Sequence, residues 1–169
     1  MMVDIVYSDN MVLQRDTCHY ITGQCLDNED VSIYFQEKRY RCQSKNNKWE
    51  ICLDNLKVGG PYQLLIESHE CQIIWEHIYV GDVYLAAGQS NMEYRLKDSY
   101  LADKYIHSQD LHNIFFFQVP RVEYIENGLA YPEFEKPNWQ EANSTTLENL
   151  SAVAYHFVRT LRQYTDIPI

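Results

Sequence analysis

A change of rhythm near residue 77 constrains this chain more than any other feature. Before it, short β-rich runs recur at residues 12–14, 18–23, 31–36, 39–43, 49–53, 62–67 and 72–77. Turn-formers part them, notably Asp27-Asn28, Asn46-Asn47, Gly59-Gly60-Pro61 and Ser68-His69-Glu70. In Val31-Ser32-Ile33-Tyr34-Phe35-Gln36 the apolar side chains fall at 31, 33 and 35. That period of two belongs to a strand with one buried face. Residues 1–77 are therefore expected to form a small antiparallel β-sandwich.

Beyond that point the pattern is different. Ile78-Tyr79-Val80-Gly81-Asp82-Val83-Tyr84-Leu85-Ala86-Ala87 is apolar almost throughout, as expected of a parallel strand covered on both faces, and it runs into Gly88-Gln89-Ser90-Asn91. A helix is expected around residues 100–107. A second apolar run, Ile114-Phe115-Phe116-Phe117-Gln118-Val119, stops at Pro120. Residues 121–143 read as irregular, punctuated by Gly128, Pro132 and Pro137. A last helix is expected near residues 150–164. Its apolar side would be Leu150, Val153, Ala154, Phe157, Val158 and Leu161, with Arg159, Arg162 and Gln163 opposite.

Strand, helix, strand, helix in that order predicts a further parallel strand, and Ile167-Pro168-Ile169 reads as its beginning. Two parallel strands cannot cover the helices packed on them. Residues 78–169 are thus expected to be the first part of an α/β domain, cut short, with an apolar surface prone to self-association.

Charge removes several classes of partner. The 169 residues carry a formal net charge of −10, so phosphate backbones and anionic membrane surfaces repel the chain, and neither nucleic acid nor membrane is expected as a partner. The basic residues Lys38, Arg39, Arg41, Lys45 and Lys48 flank a predicted hairpin and read as a solvated strand edge. The fourteen tyrosines suit half-buried strand faces and equally sugar-stacking surfaces. The five cysteines form no C-x-x-C pair and are read as reduced, apolar fillers of strands. The opening residues lack a signal-peptide pattern, which points to the cytoplasm; a signal removed upstream of this numbering would make the protein secreted. Neither His nor Cys spacing suggests a metal site, and no cofactor is expected.

Ser90 carries the chemistry. A buried strand fixes its position, Gly88 permits a tight turn, and the backbone that follows offers free N–H groups at a helix or loop start. Such groups stabilise the oxyanion formed when serine attacks an ester carbonyl, with a neighbouring base taking the serine proton. On spacing alone a second reading stands beside it, in which Ser90 is merely an N-cap. Met92 occupies the second glycine position of a G-x-S-x-G elbow, so that motif is not present. Gln89 and Asn91 either brace the turn or orient substrate, and Asp82 reads as a hydrogen-bond anchor at the strand end.

The run Gly81-Asp82-Val83-Tyr84-Leu85-Ala86-Ala87-Gly88-Gln89-Ser90-Asn91-Met92-Glu93 resembles the signature of the sialate O-acetylesterase family, SGNH hydrolases related to acetylxylan esterases. Ser8-Asp9-Asn10-Met11-Val12-Leu13-Gln14-Arg15, Gly59-Gly60-Pro61-Tyr62, Trp139, the stretch from Leu150 to Phe157, and Asp166-Ile167-Pro168-Ile169 resemble its other landmarks in order. Tyr84 departs from the usual Trp. The resemblance implies a β-sandwich followed by a flavodoxin-like, three-layer α/β domain, here only its front part. It implies an acetylated carbohydrate substrate, Ser90 as nucleophile, and the Ser90 N–H as one oxyanion donor. The family's general-base His and its Asp stand in an Asp-x-x-His arrangement near the end of the domain. None of His19, His69, His77, His107, His112 and His156 is expected to replace it, so the 169 residues alone are expected to be inactive. A non-catalytic module that binds carbohydrate or a subunit is the alternative.

Overall fold

The computed structural model describes residues 1–69, 71–108, 112–119 and 137–169. Its first part is nearly all strand: β1 (Met2–Val3), β2 (Val12–Gln14), β3 (His19–Gln24), β4 (Asp30–Phe35), β5 (Lys38–Gln43), β6 (Lys48–Leu53), β7 (Gly59–Glu67) and β8 (Gln72–Gly81). Tight hairpins explain the spacing. Gln36 and Glu37 both take positive φ between β4 and β5, as do Asn46 and Asn47 between β5 and β6. A two-residue loop with that backbone matches the twist of its flanking strands.

Five strands form a mixed sheet in the order β2-β8-β7-β4-β5, and three form another in the order β1-β3-β6. The β5–β6 hairpin, bridged at Lys45 and Lys48, joins the two, so the sheet curls over itself. Ile33, Leu64, Ile66, Ile78 and Val80 from the larger sheet share one buried cluster with Ile21, Ile51 and Leu53 from the smaller. Each strand contributes alternate residues to that cluster, the consequence of its period of two.

Two expectations about this part need correction. The cysteines are not all free thiols: Cys18 and Cys52 are joined as a disulfide, leaving Cys25, Cys42 and Cys71 free. The register of β3 on β6 sets Tyr20 opposite Cys52, which brings Cys18 diagonally to a Cα–Cα distance of 5.9 Å. That lies within the span a disulfide bridges. The second correction concerns residues 78–87. β8 passes through residue 77 without a break, and Ile78, Tyr79, Val80 and Gly81 are buried, parallel to β2 and antiparallel to β7. From Val83 onward the apolar run is exposed, Leu85 by 88%, and it joins no strand among the described residues.

The remaining elements among the described residues are α1 (Ser90–Glu93), α2 (Ala102–Ile106), β9 (Phe115–Phe117), β10 (Trp139–Glu141) and α3 (Ala152–Leu161), with short 3₁₀ turns at Leu96–Asp98 and Leu147–Asn149. β10 falls in the stretch expected to be irregular and pairs antiparallel with β9, Trp139 opposite Phe117. Residues 120–136, with Gly128 and Pro132, lie outside the described residues. The Ile169 N–H donates to Asn113 O and the Phe115 N–H donates to Ile169 O, the alternation of a parallel pair. The Asp82 N–H donates to Pro168 O, so the last residues lie between the end of β8 and the start of β9.

The orientation of α3 also differs from expectation. Tyr155 and Ala152 face a second cluster with Leu96, Ile106, Ile114, Ala142 and Leu147, whereas Val153 and Phe157 are each 47% exposed. Tyr155 can be fully buried because its hydroxyl donates to Tyr105 O. Periodicity located the helix and placed Leu150 and Val158 correctly against this cluster, but it put Val153 and Phe157 on the buried side and missed Ala152 and Tyr155, because apolar side chains occur on two faces.

Candidate active site

The candidate site begins where the β8 ladder ends. The Arg15 N–H donates to Gly81 O (2.8 Å), and the guanidinium of Arg15 closes on both carboxylate oxygens of Asp82, at 2.7 and 3.2 Å. One residue later the Val83 N–H donates to the side-chain carbonyl of Gln14 (2.8 Å). Gly81 must be glycine here, since a Cβ would stand 1.9 Å from Pro168 O. Asp82 is thus an anchor at the strand end, as its position in the sequence suggested.

Seven residues on, the chain turns. A Cβ on Gly88 would approach the Met92 Cβ to 3.1 Å, so a small residue suits this bend. The Met92 N–H donates to Gln89 O (2.7 Å) and the Tyr94 N–H donates to Asn91 O (3.3 Å), closing the single turn of α1. Gln89 and Asn91 therefore brace the loop through their backbones. Ser90 is exposed and takes a positive φ of 22°. Gln89, not Ser90, holds the N-cap position, and no side-chain capping bond is made. That geometry weakens the reading of Ser90 as a cap. The tip is tied to α3, where the Ser151 hydroxyl donates to the Met92 sulfur (3.3 Å) and the Ala152 N–H donates to Tyr94 O (2.8 Å).

No histidine is hydrogen-bonded to Ser90 among the described residues. Sequence reasoning passed over one Asp-x-x-His spacing, Asp16-Thr17-Cys18-His19. The structure gives it another role. His19 sits on β3 in the three-stranded sheet, its ring edge-on to Tyr7, and burial lowers its pKa from the ordinary value. His77 Nδ1 lies 2.9 Å from an Asp9 carboxylate oxygen, while the His77 N–H donates to the other at 2.7 Å. The hydrogen bond to Asp9, then its charge, raises the His77 pKa. His156 on α3 meets the rings of Tyr105 and Tyr155, and His69 is exposed. His107 and His112 line a cleft of about 370 Å³ with Glu141 and Asn143. A second cleft of about 580 Å³ lies over Thr22, Lys48 and Trp49. Ser90 lines neither. Among the described residues no group of three or more His, Cys, Asp or Glu is placed to hold a metal ion, and no helix is long and apolar enough to cross a membrane.

Comparison with known proteins gives these observations a context. No family model matches the chain. It is 24% identical to the sialate O-acetylesterase of Pongo abelii and 25% identical to that of Homo sapiens; each match covers 96% of this chain and 34% of the relative. The sialate O-acetylesterase of Rattus norvegicus is 26% identical over 73% of the chain. The chain thus spans about a third of the length of the first two relatives. Its fold matches the crystal structure of a carbohydrate acetylesterase from Xanthomonas citri with a TM-score of 0.89 and 26% identity, over 99% of this chain and 38% of that one.

Proposed function

This chain is a relative of the sialate O-acetylesterases, and from that premise we propose that it carries the strand-rich part and the serine nucleophile of an esterase that removes O-acetyl groups from carbohydrate. The observation that carries the reading is the exposed Ser90 on a tight loop after an anchored strand, in a chain that matches a carbohydrate acetylesterase over 99% of its length. In this reading residues 1–77 are a β-sandwich and residues 78–169 the front part of an SGNH α/β domain. The shared core of the two sheets supports the first part, extended to Gly81 by β8, and the parallel pairing of Ile169 beside Ile114 supports the second.

The Ser90 Oγ attacks the acetyl carbonyl, its proton passes to a base, and the Ser90 N–H helps to stabilise the oxyanion. The sugar hydroxyl leaves with that proton. Water then attacks the acetyl-serine, releasing acetate and restoring the hydroxyl. No described residue is placed to supply the base, and in this reading the 169 residues by themselves are inert. A chimera tests this: residues 1–169 replace the matching portion of the Xanthomonas acetylesterase, and turnover of a chromogenic acetyl ester is measured. Turnover should fall about a thousandfold or more in Ser90→Ala, because a nucleophile and its base act as a unit. An unaffected Ser90→Ala chimera overturns the nucleophile. Turnover by the 169-residue chain alone that is lost in Ser90→Ala overturns its inertness.

The exposed Tyr84, Leu85, Val153 and Phe157 favour a second property, self-association through this face.

A further inference from the structure

We infer that Arg15 is a positioning residue for the Ser90 loop: its guanidinium fork on Asp82 sets the direction in which the strand-rich part delivers the chain to the serine. The inference rests on Ser90 being the nucleophile.

Residues 81–83 are where the β8 ladder gives out, and β2 takes over with side chains. The Arg15 backbone and fork engage Gly81 and Asp82, and the Gln14 amide oxygen stands where a strand carbonyl would accept the Val83 N–H. Pro168 O accepts from the Asp82 N–H on the other side, so three consecutive residues are bound from two directions. The fork matters because two parallel bonds fix an orientation as well as a distance, which the single ammonium of a lysine does not. Side-chain exposures of 34% for Arg15 and 18% for Asp82 keep the pair less screened than a surface ion pair. Asp16 stands further off, at 3.8 Å, and does not compete for the fork.

Beyond Val83 the chain runs exposed to Gly88, touching α3 through the Tyr84–Phe157 ring contact at 5.0 Å. Seven residues span at most roughly 23 Å when extended, so a change of direction at the base of this segment can displace its far end by up to about 4 Å for a tilt of about 10°. Misplacement of a reacting group by about 1 Å already costs on the order of a hundredfold in rate. The tip has its own tie to α3, so the Arg15 fork decides how the strand-rich part and the serine loop are set relative to each other.

Amide NMR on the 169-residue chain tests this without relying on turnover. In Arg15→Gln and in Asp82→Asn, the Asp82 and Val83 amides should exchange about tenfold faster, and the order parameters of Gly88 to Asn91 should fall toward the flexible range. Ile33 and Leu64 amides should keep their wild-type rates. Arg15→Lys should restore little, and the swap Arg15→Asp with Asp82→Arg should recover most of the protection. Unchanged amides from 82 to 91 overturn the inference, as does a uniform acceleration that includes Ile33 and Leu64, since that is ordinary destabilisation. Ser90→Ala should leave every one of these amides alone, so a failed nucleophile would show in the chimera and not here.

Discussion

The two-sheet core of the strands up to Gly81 and the face made by residues 83–85 with Val153 and Phe157 of α3 are both rich in apolar side chains and treat them in opposite ways. In the first, Ile33, Leu64, Ile66 and Ile78 are completely buried because two sheets close over one cluster. In the second, Val83, Tyr84, Leu85, Val153 and Phe157 stand 41% to 88% exposed, beside a cluster of Leu96, Ile106, Leu147 and Tyr155 that is buried. A covered apolar residue adds stability by leaving water, at about 25 cal/mol per Å². An exposed one adds reactivity toward whatever can cover it. The difference separates a closed core from a face suited to further contacts.

The sharpest way to break that comparison is substitution in both regions. Ile33→Ala or Leu64→Ala should cost about 2–5 kcal/mol, from lost transfer energy and the cavity left behind. Val153→Ser and Phe157→Ser should cost under about 1 kcal/mol, since both are already half in water. Urea midpoints at constant slope measure this, and equal losses in the two regions would abolish the distinction.

Cys18→Ser with Cys52→Ser should be next in size. The bridge closes 34 residues of sequence, all within the strand-rich part. Its loss should destabilise that part by about 2–4 kcal/mol, chiefly by freeing the unfolded chain. An unchanged midpoint under reducing conditions would remove the disulfide from the account.

Smaller still is the effect of charge on the open face. Leu85→Glu and Phe157→Glu should weaken self-association about tenfold or more, read as concentration-dependent sedimentation, while leaving the urea midpoint nearly unchanged. A wild-type chain that stays monomeric at all concentrations would contradict the proposed role of this face.

How much of this was legible in the sequence varies by element. Each of the seven β-rich runs of the first part became a strand with ends within a few residues, because period-two patterning and Asn-rich turns both act locally. β1 was missed: two residues, Met2 and Val3, pair only because β3 is there to receive them. The disulfide was missed because it depends on β3–β6 register, which no spacing of cysteines reveals. Around the site, Gly88, Gln89, Ser90 and Asn91 were legible as a loop, and Asp82 as an anchor. Arg15 as its partner was not, since the two lie 67 positions apart and meet only through parallel pairing of β2 with β8. The Asp16–His19 spacing shows the converse, a motif that sequence offers and the fold assigns to another sheet.

The smallest expected effect is on pH dependence, where two histidines of the strand-rich part pull in opposite directions. His19 is partly buried and has its pKa depressed by desolvation, below the ordinary value of 6.5. The unfolded chain therefore takes up that proton first, and stability should decline as the pH falls below about 6.5. His77 is exposed and has its pKa raised, first by its hydrogen bond to Asp9 and then by the Asp9 charge, with Glu76 and Glu141 adding to the rise. Its contribution is complete below 6.5 and fades as the pH climbs through the raised value. Asp9 is pushed up by partial burial and pulled further down by its bonds from His77, so it ends below its ordinary 3.8 and contributes until the pH falls through that lowered value. His19→Phe should flatten the acid side of a urea-midpoint profile just below pH 6.5, while His77→Gln should flatten the side just above it. An acid limb that survives His19→Phe would mean that this ring is not what titrates. An alkaline limb that survives His77→Gln would leave the Asp9 pair without a measurable part in holding β8 to the loop before β2.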